Sequence, residues 1–263
     1  MKIICAGFPK TGTKSLALAL RQLGYESLHD FEDHYELNLD HYLDFFEGRV
    51  DGTVFKKLYD DVDVVIGQPA STLWHILLQQ FPDAKVILMV RDSADAWCKS
   101  KDDMMTYYRD NIQPWYHPIA PYISATQGKL ARINSQNLIL STGQDYYYKM
   151  HKGTKCFDLM KSQYTRHNAA VKAIVPGDNF LEFNVKEGWG PLCRFLDVPV
   201  PNGPFPHENK KGSDVKQTSP IVDKMTNFSI YQRANKEARK SLLLLMALAV
   251  LIMGGLFQLV LFS

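Results

Sequence analysis

Residues 2–15 read Lys2-Ile3-Ile4-Cys5-Ala6-Gly7-Phe8-Pro9-Lys10-Thr11-Gly12-Thr13-Lys14-Ser15. The apolar run ending before Gly7 predicts a short buried strand over 2–6. A loop over 7–13 and a helix from about Lys14 to Leu23, stopped by Gly24, are expected to follow. That order brings backbone N–H groups, two lysines and the positive end of a helix onto one point, which suits a phosphate-sized anion. A nucleotide triphosphatase loop needs Lys-Ser/Thr directly after its second glycine, and here Thr13 intervenes between Gly12 and Lys14. No apolar strand runs into an Asp that would hold Mg²⁺: 62–66 leads to Gly67-Gln68, and 85–90 leads to Arg91.

Working outward, Val62–Ile66 and Lys85–Val90 read as two further buried strands, separated by a helix that Ser71 can cap. Tyr25–Leu28 reads as a strand beside the first. After Arg91 a helix is expected to about Arg109. The aromatic, Pro-rich stretch Pro114–Tyr122 breaks the pattern, and a helix near Asp158–Ile174 leads to a last strand at Asn179–Phe183. Alternation of this kind predicts a three-layer α/β fold with a central, mostly parallel sheet. Right-handed crossovers place the loops after the strands along one carboxyl edge, where ligands of open α/β sheets bind.

The chain has 263 residues, 46% of them hydrophobic and 22% charged, which excludes a disordered polymer. Its net charge of +2 is too balanced for a protein that coats nucleic acid. Cys5, Cys98, Cys156 and Cys193 form no CxxC pair and read as reduced, buried thiols. The first apolar run is too short for a signal peptide, so a cytosolic start is expected. Leu242 to Phe262 carries no charge and follows Arg233, Lys236, Arg239 and Lys240. It predicts a transmembrane helix with its basic flank on the cytosolic side, inserted after translation as a tail anchor. The expected organisation is therefore a catalytic domain over 1–208, a tether over 209–240 and an anchor over 241–263. Endoplasmic reticulum is favoured over mitochondrial outer membrane for the length of the span.

The motifs, taken together, resemble the P-loop sulfotransferase-like family. Pro9-Lys10-Thr11-Gly12-Thr13-Lys14-Ser15-Leu16 looks like that family's 5′-phosphosulfate loop, and Val86 to Asp92 followed by Trp97 and Ser100 looks like its 3′-phosphate motif. Phe81-Pro82-Asp83-Ala84-Lys85, His167-Asn168, Lys186-Glu187-Gly188-Trp189 and Pro199-Val200-Pro201 extend the likeness to about Lys211. The resemblance implies a P-loop NTPase-like fold, the donor 3′-phosphoadenosine 5′-phosphosulfate, no metal, and sulfuryl transfer to a small-molecule or lipid hydroxyl or amine. Lys10 would meet the leaving-group charge, Thr11, Gly12, Thr13, Lys14 and Ser15 would hold the 5′-phosphate, and Arg91 with Ser100 would take the 3′-phosphate. Two departures stand out. Lys99 occupies the distance from Arg91 at which relatives carry the Ser, with Ser100 one further; an extra residue in the turn before the helix would preserve the direction of Ser100. Gly67-Gln68-Pro69 stands where many relatives carry an acid before Pro.

For the base that an acceptor hydroxyl needs, the residues suggest His, with His29 ahead of His75 and His167. His29, Asp30, Glu32, Asp33 and His34 match no common metal spacing and read as a solvated acidic loop. Trp189 reads either as an adenine stack or as packing, and Trp115-Tyr116 and Tyr146-Tyr147-Tyr148 as an acceptor lining or a core patch. A nucleotide kinase or NTPase and a non-catalytic membrane adaptor are the alternative readings. The acceptor and the oligomeric state are left open.

Overall fold

The computed structural model describes residues 1–111, 114–143, 156–207 and 229–261, with side chains to residue 253. Five parallel strands form one sheet: β1 (Ile3–Cys5), β2 (Leu28–His29), β3 (Val64–Ile66), β4 (Lys85–Met89) and β5 (Phe180–Phe183), in the order β2-β3-β1-β4-β5. Side chains alternate across it as strand pleating requires. Ile4, Val65, Val86 and Leu88 pack on one side, and Ile3, Cys5, Val64, Ile66, Ile87 and Met89 on the other.

The second of these faces is covered by α1 (Thr13–Gln22), through Leu16, Ala17 and Leu20, and by Leu192, Cys193 and Leu196, which lie on a later helix. On the first face lie α2 (Phe31–Leu37), α3 (Leu39–Phe46), α4 (Val54–Leu58) and α5 (Trp74–Gln80). Beyond β4 come α6 (Ala94–Asn111), α7 (Ala120–Ile123), α8 (Ala125–Thr142), α9 (Phe157–Ile174) and α10 (Trp189–Leu196), which carries that later trio. The result is the expected α/β architecture of three layers, with a central sheet that is parallel throughout.

Three local expectations are corrected. The strand after α1 is only Leu28–His29, and it pairs with β3 at the sheet edge, not with β1, because β3 takes the place beside β1. Ser71 does not cap α5: the helix starts at Trp74, and Ser71 N donates to Gly67 O at 2.8 Å in the turn before it. Cys156 is exposed, whereas Cys5, Cys98 and Cys193 are buried free thiols.

The last helix, α11 (Ser229–Leu261), begins as an integral part of the domain, where a tether was expected. Ile230, Ala234 and Ala238 are buried at helical spacing, on the face turned to α2, α7 and α8. Glu36 accepts from Ile230 N at 2.8 Å and so caps α11. Glu237 returns the service to α8, accepting from Ser124 Oγ at 2.8 Å and from Thr126 N at 3.1 Å. The part of the expected tether over 209–228 lies outside the described residues.

Farther along, the side chains of Leu243, Leu244, Leu245, Met246, Leu248 and Val250 to Met253 are exposed. Among the described residues no helix is long and apolar enough to cross a membrane, contrary to the expected span. Lys236, Glu237, Arg239 and Lys240 charge the turns before Leu243. The rest of the expected span, from Gly254, lies outside the residues whose side chains are described.

Candidate active site

β1 delivers the loop 7–12 to the carboxyl edge of the sheet. Gly7 is required there by close approach, since a Cβ would stand 2.7 Å from the Met89 carbonyl oxygen. Gly12 caps α1 at φ 101°, a left-handed conformation, and a Cβ on it would strike Val185 Cγ1 at 2.5 Å. Lys10 shares the left-handed region at φ 76° despite its side chain. Such positive φ values curl the backbone into the concavity that receives anions. The first helical bond runs from Leu16 N to Gly12 O at 3.0 Å, so the N–H groups of Thr13, Lys14 and Ser15 stand ahead of the ladder at the positive end of α1.

Neighbouring elements clamp the loop. Thr11 Oγ1 donates to Phe8 O at 2.7 Å, and Trp97 Nε1 on α6 donates to Pro9 O at 3.0 Å. His167 on α9 stacks on Phe8 with ring centroids 3.9 Å apart, and its Nε2 lies 2.7 Å from Ala6 O. That contact places the proton on Nε2, since a carbonyl only accepts. Burial pushes the His167 pKa down to about 4, so it holds the loop as a neutral ring.

Arg91 follows β4 at the same edge. Its Nη2 donates to Ser100 Oγ at 2.9 Å, its backbone N–H donates to Tyr164 Oη at 2.9 Å, and its Nε is buried with no partner. A guanidinium N–H buried without an acceptor is costly unless an anion supplies one. Because α6 begins at Ala94, three residues after Arg91, Ser100 falls on the inward face while Lys99 is exposed.

Lys14 turns away from the loop. Its Nζ pairs with Glu32 Oε1 and lies 3.8 Å from Asp30 Oδ2. Asp30 caps α2, accepting from Glu32 N at 3.0 Å. Burial, then the neighbouring Asp30 carboxyl, pushes the Glu32 pKa up to about 7 against the pull of Lys14. Asp30 goes the other way: burial raises its pKa, and the Glu32 hydrogen bonds and Lys14 outweigh that and hold it low. The acidic loop is therefore a half-buried ion cluster and not a solvated face. The sequence reading placed Glu32 in a solvated acidic loop and gave it no role of its own; with Asp30 capping α2, Glu32 instead pairs with Lys14 of α1.

A cavity of about 210 Å³ opens beside the phosphate loop, lined among others by Lys10, Thr13, Lys14, Glu32 and Gln68. Gln68, at the place of the missing acid, donates from Nε2 to Asn137 O at 3.2 Å. His29 does not line the cavity; its ring packs edge-on to Tyr59 at 5.8 Å, because β2 runs beside β3. His75, on α5, also lies outside the lining. Trp189 is buried, with Nε1 donating to Gly203 O at 3.1 Å and its ring against Phe205, which is packing. Tyr116 packs with Ala120 and Ala238, Trp115 is exposed, and 146–148 lie outside the described residues. Among the described residues no group of three or more His, Cys, Asp or Glu is placed to hold a metal.

A protein of Aspergillus versicolor named Ava biosynthesis cluster protein M is 28% identical over 228 residues, covering 79% of this chain and 80% of its own length. The profile of a sulfotransferase domain matches residues 2–213, the stretch that contains the loop, Arg91, Ser100 and the cavity-lining Glu32. By that match the chain belongs to the sulfotransferase domain family.

Proposed function

We propose that the protein is a sulfotransferase that moves a sulfuryl group from 3′-phosphoadenosine 5′-phosphosulfate to a hydroxyl or amine acceptor. The observation that carries this reading is the buried, unpartnered Nε of Arg91, beside Ser100 and on the same sheet edge as the loop. The donor supplies an activated sulfuryl group on a phosphate leaving group. Thr11, Gly12, Thr13 and Ser15 hold the 5′-phosphate through backbone and hydroxyl donors at the start of α1, and Lys10 offsets the charge that grows on that phosphate. Arg91 and Ser100 take the 3′-phosphate. Lys14 joins the loop to the acceptor side through Glu32. Reactions of this kind are governed by in-line positioning and charge stabilisation, and no residue of this scheme requires a metal.

The exposed apolar turns of α11 support a second part of the proposal. A lipid bilayer covers them, with the domain on the cytosolic side, at the endoplasmic reticulum before the mitochondrial outer membrane. Resistance of the full chain to carbonate extraction, lost on deletion of 241–263, is the expected result. Release of the full chain by carbonate would end that part alone.

Titration calorimetry of the full chain with adenosine 3′,5′-bisphosphate, ATP and GTP tests the main reading. The bisphosphate is expected to bind without Mg²⁺ and ahead of both triphosphates. Arg91→Ala is expected to weaken it by about tenfold or more, a charge-assisted bond being worth about 1.5–3 kcal/mol, while adenosine 5′-phosphate changes little. Mg²⁺-dependent preference for ATP would move the protein to the NTPase reading.

A further inference from the structure

The cavity beside the loop has charged and apolar walls of different origin. Its charge comes from Lys10, Lys14, Glu32 and Lys101, on the loop, α1, α2 and α6. Phe31, Met104, Met105, Tyr108, Leu138 and Tyr231 give it apolar and aromatic walls, and Thr13, Gln68, Asn134 and Asn137 add neutral polar groups. Within it Glu32 has two unlike oxygens. Oε1 holds Lys14, and Oε2 is buried with no hydrogen-bond partner. A buried carboxylate oxygen left without a donor is costly, and a hydroxyl arriving in the cavity would supply one.

We propose that this cavity receives a small apolar alcohol or phenol as the acceptor and that Glu32 is the base that takes its hydroxyl proton. The inference rests on the sulfotransferase reading of the loop. At about 210 Å³ the cavity is smaller than the roughly 300–1,000 Å³ of sites for drug-sized ligands, which favours a compact ring compound over a peptide or an oligosaccharide. Its methionines adapt to ring edges, and its aromatics give flat walls. In the reaction Glu32 Oε2 accepts the hydroxyl proton as the acceptor oxygen forms its bond to sulfur. The bond from sulfur to the 5′-phosphate oxygen breaks, and that oxygen keeps the electron pair beside Lys10. The products are the acceptor sulfate ester and adenosine 3′,5′-bisphosphate, and the proton leaves Glu32 for water.

The base must be ionised while holding an affinity for protons near neutrality. The charged groups against it are Lys14 from α1 and Asp30 from the start of α2, with Arg21 3.8 Å from Asp30, while Lys10 from the loop, Lys101 and Tyr108 from α6 and Tyr231 from α11 line the same cavity. Burial and Asp30 raise its proton affinity, and Lys14 keeps the carboxylate within working range. Tyr231 comes from α11, so the C-terminal helix forms one wall of the acceptor site.

The test uses the full chain with 3′-phosphoadenosine 5′-phosphosulfate and 2-naphthol, cyclohexanol or glucose as probe acceptors. Transfer to 2-naphthol or cyclohexanol is expected, with kcat rising as pH passes from 6 to 8. Glu32→Gln should lower kcat by about a hundredfold or more and flatten that rise, leaving the affinity for adenosine 3′,5′-bisphosphate unchanged. Glu32→Asp should recover part of kcat. Unchanged kcat in Glu32→Gln would remove Glu32 as the base. Bisphosphate binding without transfer to either apolar probe, or preference for glucose, would overturn the acceptor class. Loss of bisphosphate binding in the wild-type chain would instead overturn the sulfotransferase reading itself.

Discussion

Arg91 Nη2 reaches Ser100 Oγ at 2.9 Å across nine residues, and the residue between this serine and the expected spacing, Lys99, points to solvent. α6 begins at Ala94, and from that start its turn carries Ser100 to the buried face and Lys99 to the exposed one.

Lys99→Ala is therefore expected to leave adenosine 3′,5′-bisphosphate affinity within about twofold. Ser100→Ala removes one hydroxyl partner, worth about 0.5–1.5 kcal/mol, and should weaken binding by roughly two- to tenfold. Calorimetry on the two variants decides it; a larger effect at Lys99 would reverse the assignment.

The parts of the fold that were legible in the sequence are those with one dominant signal. β1, β3, β4 and β5 are short apolar runs, and the loop is marked by Gly7, Pro9 and Gly12. α8 was illegible because Ser, Thr and Asn interrupt its apolar period. In place, Ser141 and Thr142 return their hydroxyls to the carbonyls of Asn137 and Leu138 at 2.7 Å, so polar residues are buried without cost to the helix. The proposed donor half of the site was readable because it lies along two continuous motifs. The proposed acceptor half was not: Glu32, Met104, Leu138 and Tyr231 come from four helices, and no spacing in the chain announces that they meet.

Stability should fall in mild acid, for a reason that lies in the buried histidines. His34 Nε2 lies 3.2 Å from Ile66 O and therefore carries the proton, while Nδ1 accepts from Tyr59 Oη at 3.1 Å. The ring is satisfied only when neutral, and burial pushes its pKa down to about 3. His167 behaves alike, at about 4. Both are near 6.5 in the unfolded chain, so each contributes stability that is present above about 6.5 and lost as pH falls toward the folded values. Glu32, raised to about 7, acts in the opposite sense between about 7 and its unfolded value of about 4.3. Between pH 6.5 and 4.5 these three groups together leave the unfolded chain binding more protons than the folded one, so stability should fall as pH falls. Urea midpoints at pH 6.5, 5.5 and 4.5 measure this, and Glu32→Gln should steepen the slope. A flat profile would mean that the histidines titrate freely.

The C-terminal helix offers a sharper test, because its two halves have opposite surroundings. Ile230 is 2% exposed, and Ala234 and Ala238 are fully buried, so a larger side chain has no room at either alanine. Glu237 fills the start of α8 with bonds from Ser124 and Thr126, and Gln127 Nε2 donates to Asn235 Oδ1 at 3.1 Å. Beyond Leu242 no such contact to the domain exists among the described residues, and Leu243 is 66% exposed. A chain ending at Lys240 is therefore expected to melt within a few degrees of the full protein. Ending the chain at residue 228 removes a buried isoleucine, worth about 1.5–3 kcal/mol, and hydrogen bonds to a carboxylate worth about as much again. At roughly 2–4 °C per kcal/mol for a domain of this size, its melting temperature should drop by about 10 °C or more. The same truncation removes Tyr231 from the cavity, so acceptor KM should rise even where the shorter chain still folds at low temperature. Differential scanning fluorimetry on both truncations, with Glu237→Ala in the full chain as an intermediate case, separates the two halves. Equal melting temperatures for the two truncated chains would show that residues 229–240 are not part of the folded domain.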